Sequence, residues 1–428
     1  MKLPWYARPK PALARVAGLG GFVTVVNLAL AQNWTTSAAP WVFGGAAVAA
    51  SADGIKLVAA PIGPYGWADG LPFGYPIYLS ADAGMSWAPA SAPTNYWISV
   101  ASSADGAKLV AAATTFLGDG LIYTSSDGGG TWARTSAPSN TWASVASSAD
   151  GVRLVAAASA FFGDGLLYTS GDAGMTWAPT SAPSNTWASV ASSADGVRLV
   201  AAGAFGGGLI YTSGDAGVTW ARTAAPSNDW TSVACSADGT KMVASAYFGP
   251  IITSTNSGTS WVTTSAPRLG WQSTASSADG TKLWAAADWA SETSILGPIY
   301  HSADSGVTWT VTPAPSAFWL RVACSADGSV AIAAGATSGG GELGGVISDA
   351  QAPPFAPSLQ LSIGKSASDV RLSWLVPSTS LVVQQISSLD SGDWLAVTNQ
   401  PTLNFTNVHY EVTLPLSSTN AFYRLKAQ

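Results

Sequence analysis

WASVASSADGVRLVAAASAFFGDGLLYTSGDAGMTWAPTSAPSNT, residues 142–186, runs into another Trp at 187, and the pattern begins again. Trp97, Trp142, Trp187, Trp230, Trp271 and Trp319 open successive copies, at spacings of 45, 45, 43, 41 and 48 residues. Whole units have been added, and only the loops inside them vary. A fixed period of this size marks a solenoid, a propeller or an array, in which each unit buries its apolar face against its neighbours.

Each unit reads as four short strands. W-x-S-V-A-S-S alternates large and small residues, a tight S-A-D-G turn follows, and K/R-L-V-A-A-A is the second run. I/L-Y-T-S is the third. The fourth starts at the Trp closing S-x-D-x-G-x-S/T-W and stops at S-A-P, where Pro ends a ladder. Four antiparallel strands in about 45 residues is the spacing of a propeller blade. S-A-D-G occurs seven times, at 51–54, 103–106, 148–151, 193–196, 236–239, 277–280 and 325–328. The seventh copy, from Trp319 to Ser348, lacks its fourth strand, and Trp34–Pro40 resembles the missing piece. The expectation is an all-β chain: a seven-bladed propeller whose last blade is closed by the N-terminal strand 34–40, hiding the open edges.

The turn S-x-D-x-G-x-S/T-W recurs six times in register. Its Asp and Trp are Asp82 and Trp87, Asp127 and Trp132, Asp172 and Trp177, Asp215 and Trp220, Asn256 (replacing Asp) and Trp261, and Asp304 and Trp309. It resembles the Asp-box, or BNR, repeat of sialidase-like propellers, sortilin-type receptors and photosystem II assembly-factor-like proteins. The resemblance implies a fold and is silent on function. In physical terms Asp accepts backbone N–H groups across the turn, Gly takes the positive φ, and Trp packs between sheets. These twelve residues read as structural staples.

Residues 1–31 carry Lys2, Arg8, Lys10 and Arg15, an apolar run from Val16, and Ala29-Leu30-Ala31. That is the layout of a secretory signal peptide cleaved near Ala31, so a periplasmic, extracellular or cell-surface protein is expected, with no membrane span after cleavage. Removing four cations and no anion takes the formal charge from −6 to −10. An acidic chain with 10% charged residues has no electrostatic footprint for nucleic acid.

Cys235 and Cys324 occupy the same repeat position as Ser102, Ser147, Ser192 and Ser276, in the fifth and seventh blades. Disulfides need Cα atoms within about 7 Å, so both read as small buried residues. No Cys/His spacing suggests a metal site, and no cofactor motif is present. Beyond the propeller at 33–349 comes a Pro-rich linker, 350–357. Residues 358–428 then hold six or seven apolar alternating runs, a small β-sandwich resembling fibronectin-III or Ig-like modules. The resemblance implies a spacer or attachment piece of the kind that trails secreted bacterial proteins.

In such a ring S-A-D-G and Asp-box turns share one face, and the loops between second and third strands and between blades share the other. Only the second face varies from unit to unit, and variable loops on a rigid scaffold are the usual place for binding. The candidate ligand-binding residues there are Trp67, Tyr75, Phe116, Phe161, Trp289, Glu292, Arg321 and Glu342. Their rings could equally cap the sheets. The opening Trp residues offer either a stacking surface or packing between repeats.

The resembled sialidases use three arginines, a Tyr–Glu pair and an Asp acid. Here Arg153 and Arg198 lie on the opposite face, Arg134 and Arg222 lie on outermost strands, and only Arg268 and Arg321 are near enough to consider. No catalytic residue is nominated. Half of the 24 acids are spent in turns, and no spacing singles out a carboxylate pair of the kind a glycosidase needs. The favoured reading is a secreted, monomeric, non-catalytic propeller that binds a glycan, peptide or protein. A sialidase-like or other glycoside hydrolase, and an assembly or adhesion scaffold, are the alternatives.

Overall fold

A computed structural model describes residues 34–36, 45–62, 74–114, 119–160, 165–204, 207–290, 296–336, 344–348, 361–366, 368–376, 381–387, 394–415 and 421–427. A compact unit runs from Gln32 to Gln428. Every element in the described residues is a β-strand.

Seven four-stranded antiparallel sheets follow one another along the chain. The third blade is typical, with Trp142–Ser147, Leu154–Ala158, Leu167–Ser170 and Ala178–Pro179 in that order. Its second strand, Leu-Val-Ala-Ala-Ala, is buried at every position, because both of its faces meet a neighbouring sheet. Continuous apolar runs are the expected signature of a strand covered on both sides, and small residues let the blades approach closely. The seventh blade is built from Phe318–Cys324, Ala331–Ala336, Gly344–Ser348 and the N-terminal Thr35–Thr36. Thr35 pairs with Ser348 and Thr36 with Ile347. The clasp is thus the one the incomplete seventh copy predicts, seated by Trp34, whose ring meets Trp284 edge-on at 5.8 Å.

Closure is visible in hydrogen bonds. The amide of each S-A-D-G alanine donates to the carbonyl of the next: Ala52 to Ala104, Ala104 to Ala149, Ala149 to Ala194, Ala194 to Ala237, Ala237 to Ala278, Ala278 to Ala326, and Ala326 back to Ala52, at 2.6–2.8 Å. On the innermost strands the serine of W-x-S spans the blade seams. Ser99, Ser144, Ser189, Ser232 and Ser273 each accept the amide of the residue that follows the next blade's equivalent position, at Val145, Val190, Val233, Thr274 and Val322.

The opening Trp residues are packing residues. Trp97, Trp142, Trp187, Trp230 and Trp271 are fully buried. Four of them stand edge-on to the third-strand rings of Tyr123, Tyr168, Tyr211 and Tyr300. His301 is likewise packed, 4.3 Å from the Trp284 ring. Burial pushes its pKa down to about 4. A depressed folded value means stability present above the unfolded pKa of about 6.5 and lost as pH falls toward 4.

The Asp-box turns do what their residue types dictate. In one, the Ser125 hydroxyl donates to Asp127 and accepts the Gly129 amide, Asp127 accepts the Thr131 amide and hydroxyl, and the Trp132 indole donates to the Gly129 carbonyl. The Thr131 amide and hydroxyl and the Ser125 hydroxyl hold the Asp127 carboxyl down at about 2. One detail differs from expectation. The residue before the glycine also has positive φ: Ala83, Ala173, Ala216, Ser257 and Ser305 lie at 57–59°, and only the second box has Gly128 there. A left-handed non-glycine residue costs about 1 kcal/mol net of chain entropy. Ala173→Gly is therefore expected to raise unfolding free energy by about 1 kcal/mol, read from denaturant midpoints; a loss of stability would refute the strain.

The C-terminal segment forms a two-sheet sandwich. One sheet orders Ser362–Lys365, Asp369–Leu375, His409–Pro415 and Thr402–Asn404; the other orders Leu395–Ala396, Leu381–Ile386 and Phe422–Ala427. Thr402–Asn404 is a strand that apolar alternation did not announce. The sandwich does not trail freely. Val376 and Val408, with Leu375, Leu403, Phe405 and Tyr410 around them, pack on the ring of seven S-A-D-G alanines. The face that looked monotonous in sequence is the sandwich's docking platform.

Candidate functional site

Sheet direction sorts the residues between the two faces. First strands end, and second strands begin, at S-A-D-G; third strands end at the Asp-boxes. Hydrogen bonds from Ala83, Gly128, Ala173, Ala216, Ser257 and Ser305 to the neighbouring S-A-D-G hairpins tie these turns together. The sandwich covers the centre of this face; the opposite, variable face carries the ends of the second strands and the starts of the first and third.

Of the sequence candidates, Trp67, Phe116, Phe161, Glu292 and Glu342 lie outside the described residues. Tyr75 is on the variable face but serves the frame. Its backbone bridges Asn95, and its carbonyl accepts the Trp97 indole at 2.9 Å. Burial, and then the nearby Tyr96 phenol, raise its hydroxyl pKa. Arg321 sits at the position of the seam-spanning serines, where a guanidinium cannot accept an amide; its Nη1 donates to the Leu320 carbonyl at 2.9 Å. Trp289 ends the second strand of the sixth blade, paired with Gly270. The two cysteines are free thiols, pushed up to about 12 by burial, and chemically quiet.

The structure gathers a different set around Trp289. Asp288, one residue earlier, is 8% exposed. Its Oδ2 accepts the Gln272 amide at 2.8 Å, and its Oδ1 is buried with no partner. Burial pushes this carboxyl up to about 6, against the lowering effects of the Gln272 hydrogen bond and of the nearby backbone amides of Asp288 and Trp289. Gly270 bridges Tyr247 from the fifth blade. Tyr247 is 37% exposed and its ring lies 4.6 Å from Phe248. Its phenol is raised by burial and then by the charge of Asp288. Phe248 has φ of 47°, a conformation bulky residues rarely take. Tyr96, 41% exposed, adds a further ring on this face.

Asp288 makes a signed prediction. A carboxyl whose folded pKa is raised contributes most below the unfolded value near 3.9, and that contribution is lost as pH rises through about 6. Asp288→Asn should therefore melt several degrees higher than the native chain at pH 7.5 and at the same temperature at pH 4. Equal melting at both pH values would contradict the buried, unpaired oxygen.

Among the described residues, no three His, Cys, Asp or Glu side chains converge as a metal site, and no helix is long and apolar enough to cross a membrane. No protein-family model and no curated protein matches the chain. Solved structures do. YCF48 from Cyanidioschyzon merolae superposes with a TM-score of 0.52 at 15% identity, over 74% of this chain and 97% of that one. YCF48 bound to D1 peptide gives 0.52 at 14% identity, over 75% and 97%. The Niastella koreensis GH74 enzyme gives 0.42 at 15% identity, over 68% and 62%. At such identities the likeness speaks to the fold, a β-propeller.

Proposed function

We propose that this chain is a secreted, non-catalytic β-propeller that binds a peptide or protein segment through its variable face. The observation that carries the reading is the seat of the sandwich. Packed on the seven alanines, it takes up the centre of the S-A-D-G face and leaves the opposite one for a partner. That face offers Tyr96, Tyr247 and Trp289, the amphipathic rings that dominate recognition surfaces. The peptide-bound state of the similarly folded YCF48 supports a peptide as the ligand class.

The test is selection of binders from a displayed peptide library, followed by affinity measurement on surface variants. Tyr247→Ala and Tyr96→Ala should each weaken a selected peptide about tenfold or more, the size expected of an aromatic hot spot. Met175→Ala, 76% exposed on the Asp-box turn of the opposite face, should change it less than twofold. Binding that is lost with Met175→Ala and retained in both tyrosine variants would assign the partner to the wrong face and sink the reading.

A further inference from the structure

The sixth blade departs from the repeat at three positions, and the three departures touch. Before the opening Trp, other blades carry Tyr96, Thr141, Thr186, Asp229 and Phe318; here it is Gly270. After the Trp, Ile98, Ala143, Ala188, Thr231 and Leu320 give way to Gln272. At the end of the second strand, Thr114, Ser159, Ala204, Tyr247 and Ala336 give way to Asp288. Gln272 holds Asp288 Oδ2 at 2.8 Å. A Cβ at position 270 would stand 2.4 Å from Asp288 Oδ1, so the carboxyl has its room only because that residue is glycine.

The other blades close the same seam with uncharged residues or with exposed Asp229, and a buried carboxylate with one unpaired oxygen is a cost. Beside it Phe248 holds a second cost, its left-handed backbone. Coherent breaks of a repeat's local rules, carried at the expense of stability, cluster at functional positions.

We propose that the seam between the fifth and sixth blades is a subsite for a basic group of the partner, a primary ammonium or guanidinium, with Asp288 as counter-ion and Tyr247 and Trp289 as aromatic walls. This rests on the variable-face reading above. Oδ1 is buried against Gly270; an ammonium admitted there supplies the missing donor, and a ring face within reach adds cation–π attraction. Among the described residues no Lys, Arg or His bonds Asp288; the titratable group facing it is the Tyr247 phenol. With the empty carboxyl at about 6, a cation must displace the proton below that pH. Affinity should then fall about tenfold from pH 7.5 to pH 5.

The experiment uses the full chain and three small probes: n-butylammonium, ethylguanidinium and the uncharged n-butanol, followed through the backbone amide resonances of Gly270 and Tyr247. The expected result is saturable shifts with the two cations at pH 7.5, about tenfold weaker at pH 5, none with butanol, and none in Asp288→Asn. Responses of Asp288→Asn equal to the native chain, or butanol acting as well as butylammonium, would overturn the subsite. The two readings separate cleanly. A selected peptide that loses affinity with Tyr247→Ala but is indifferent to Asp288→Asn keeps the face and removes the counter-ion; a peptide indifferent to both tyrosine variants removes the face.

Discussion

Trp187→Ala should cost the protein about 3–5 kcal/mol, the range for emptying a fully buried aromatic site. Trp187 is 1% exposed, stands edge-on to Tyr211 at 5.6 Å, and donates its indole N–H to the Gly165 carbonyl at 2.8 Å. It lies in a core shared by two blades, with Val155, Leu167 and Ala182 on one side and Leu199 and Ala201 on the other. A void there loosens a seam and so threatens the ring, which every blade must help to close. Denaturant unfolding would measure the loss, and a change below about 1 kcal/mol would refute the packing role. A finer comparison separates packing from hydrogen bonding. The Trp230 indole nitrogen is buried with no partner, whereas that of Trp187 has one. Trp187→Phe should therefore be more costly than Trp230→Phe by about 1 kcal/mol, the usual net worth of one such bond.

Val408→Asp should release the sandwich from the propeller. Val408 is buried against the alanine ring together with Val376, and a carboxylate placed there without a partner costs several kcal/mol. The blades should survive, because their closure rests on the Thr35–Ser348 and Thr36–Ile347 pairing and on the ring of alanine amides. Small-angle scattering should show a larger radius of gyration, and amide exchange should quicken across 403–410. Val408→Gly is the control. Val408 has φ of 57°, unusual for a β-branched residue, so glycine removes the strain along with the side chain and should leave the sandwich seated more weakly. Scattering unchanged in Val408→Asp would mean that the alanine ring is not what holds it.

The blades could be read from the sequence because each determinant is short-range and repeated. An Asp-box is a closed circuit of hydrogen bonds inside eight residues, as from Ser125 to Trp132, and seven S-A-D-G turns counted the sectors. The unfinished seventh copy even named its completing strand. The candidate site was less legible. Strand order puts Trp289 and Tyr75 on the variable face, but Gly270, Gln272 and Tyr247 carry no motif that would single them out. Aligning the blades column by column at 270, 272 and 288 would have exposed the departures.

Periodicity and local turn chemistry thus set the strands, the blade number and the clasp, since those interactions lie within one unit or repeat identically between units. The contacts that give the molecule its two unlike faces do not repeat. Val376 and Val408 meet alanines 50 or more residues away around the whole ring, and Asp288 meets Gln272 across one sheet but Tyr247 only because the neighbouring sheet stacks on it. A buried carboxylate looks the same in a sequence as a solvated one; which it is depends on the neighbours that folding brings to it.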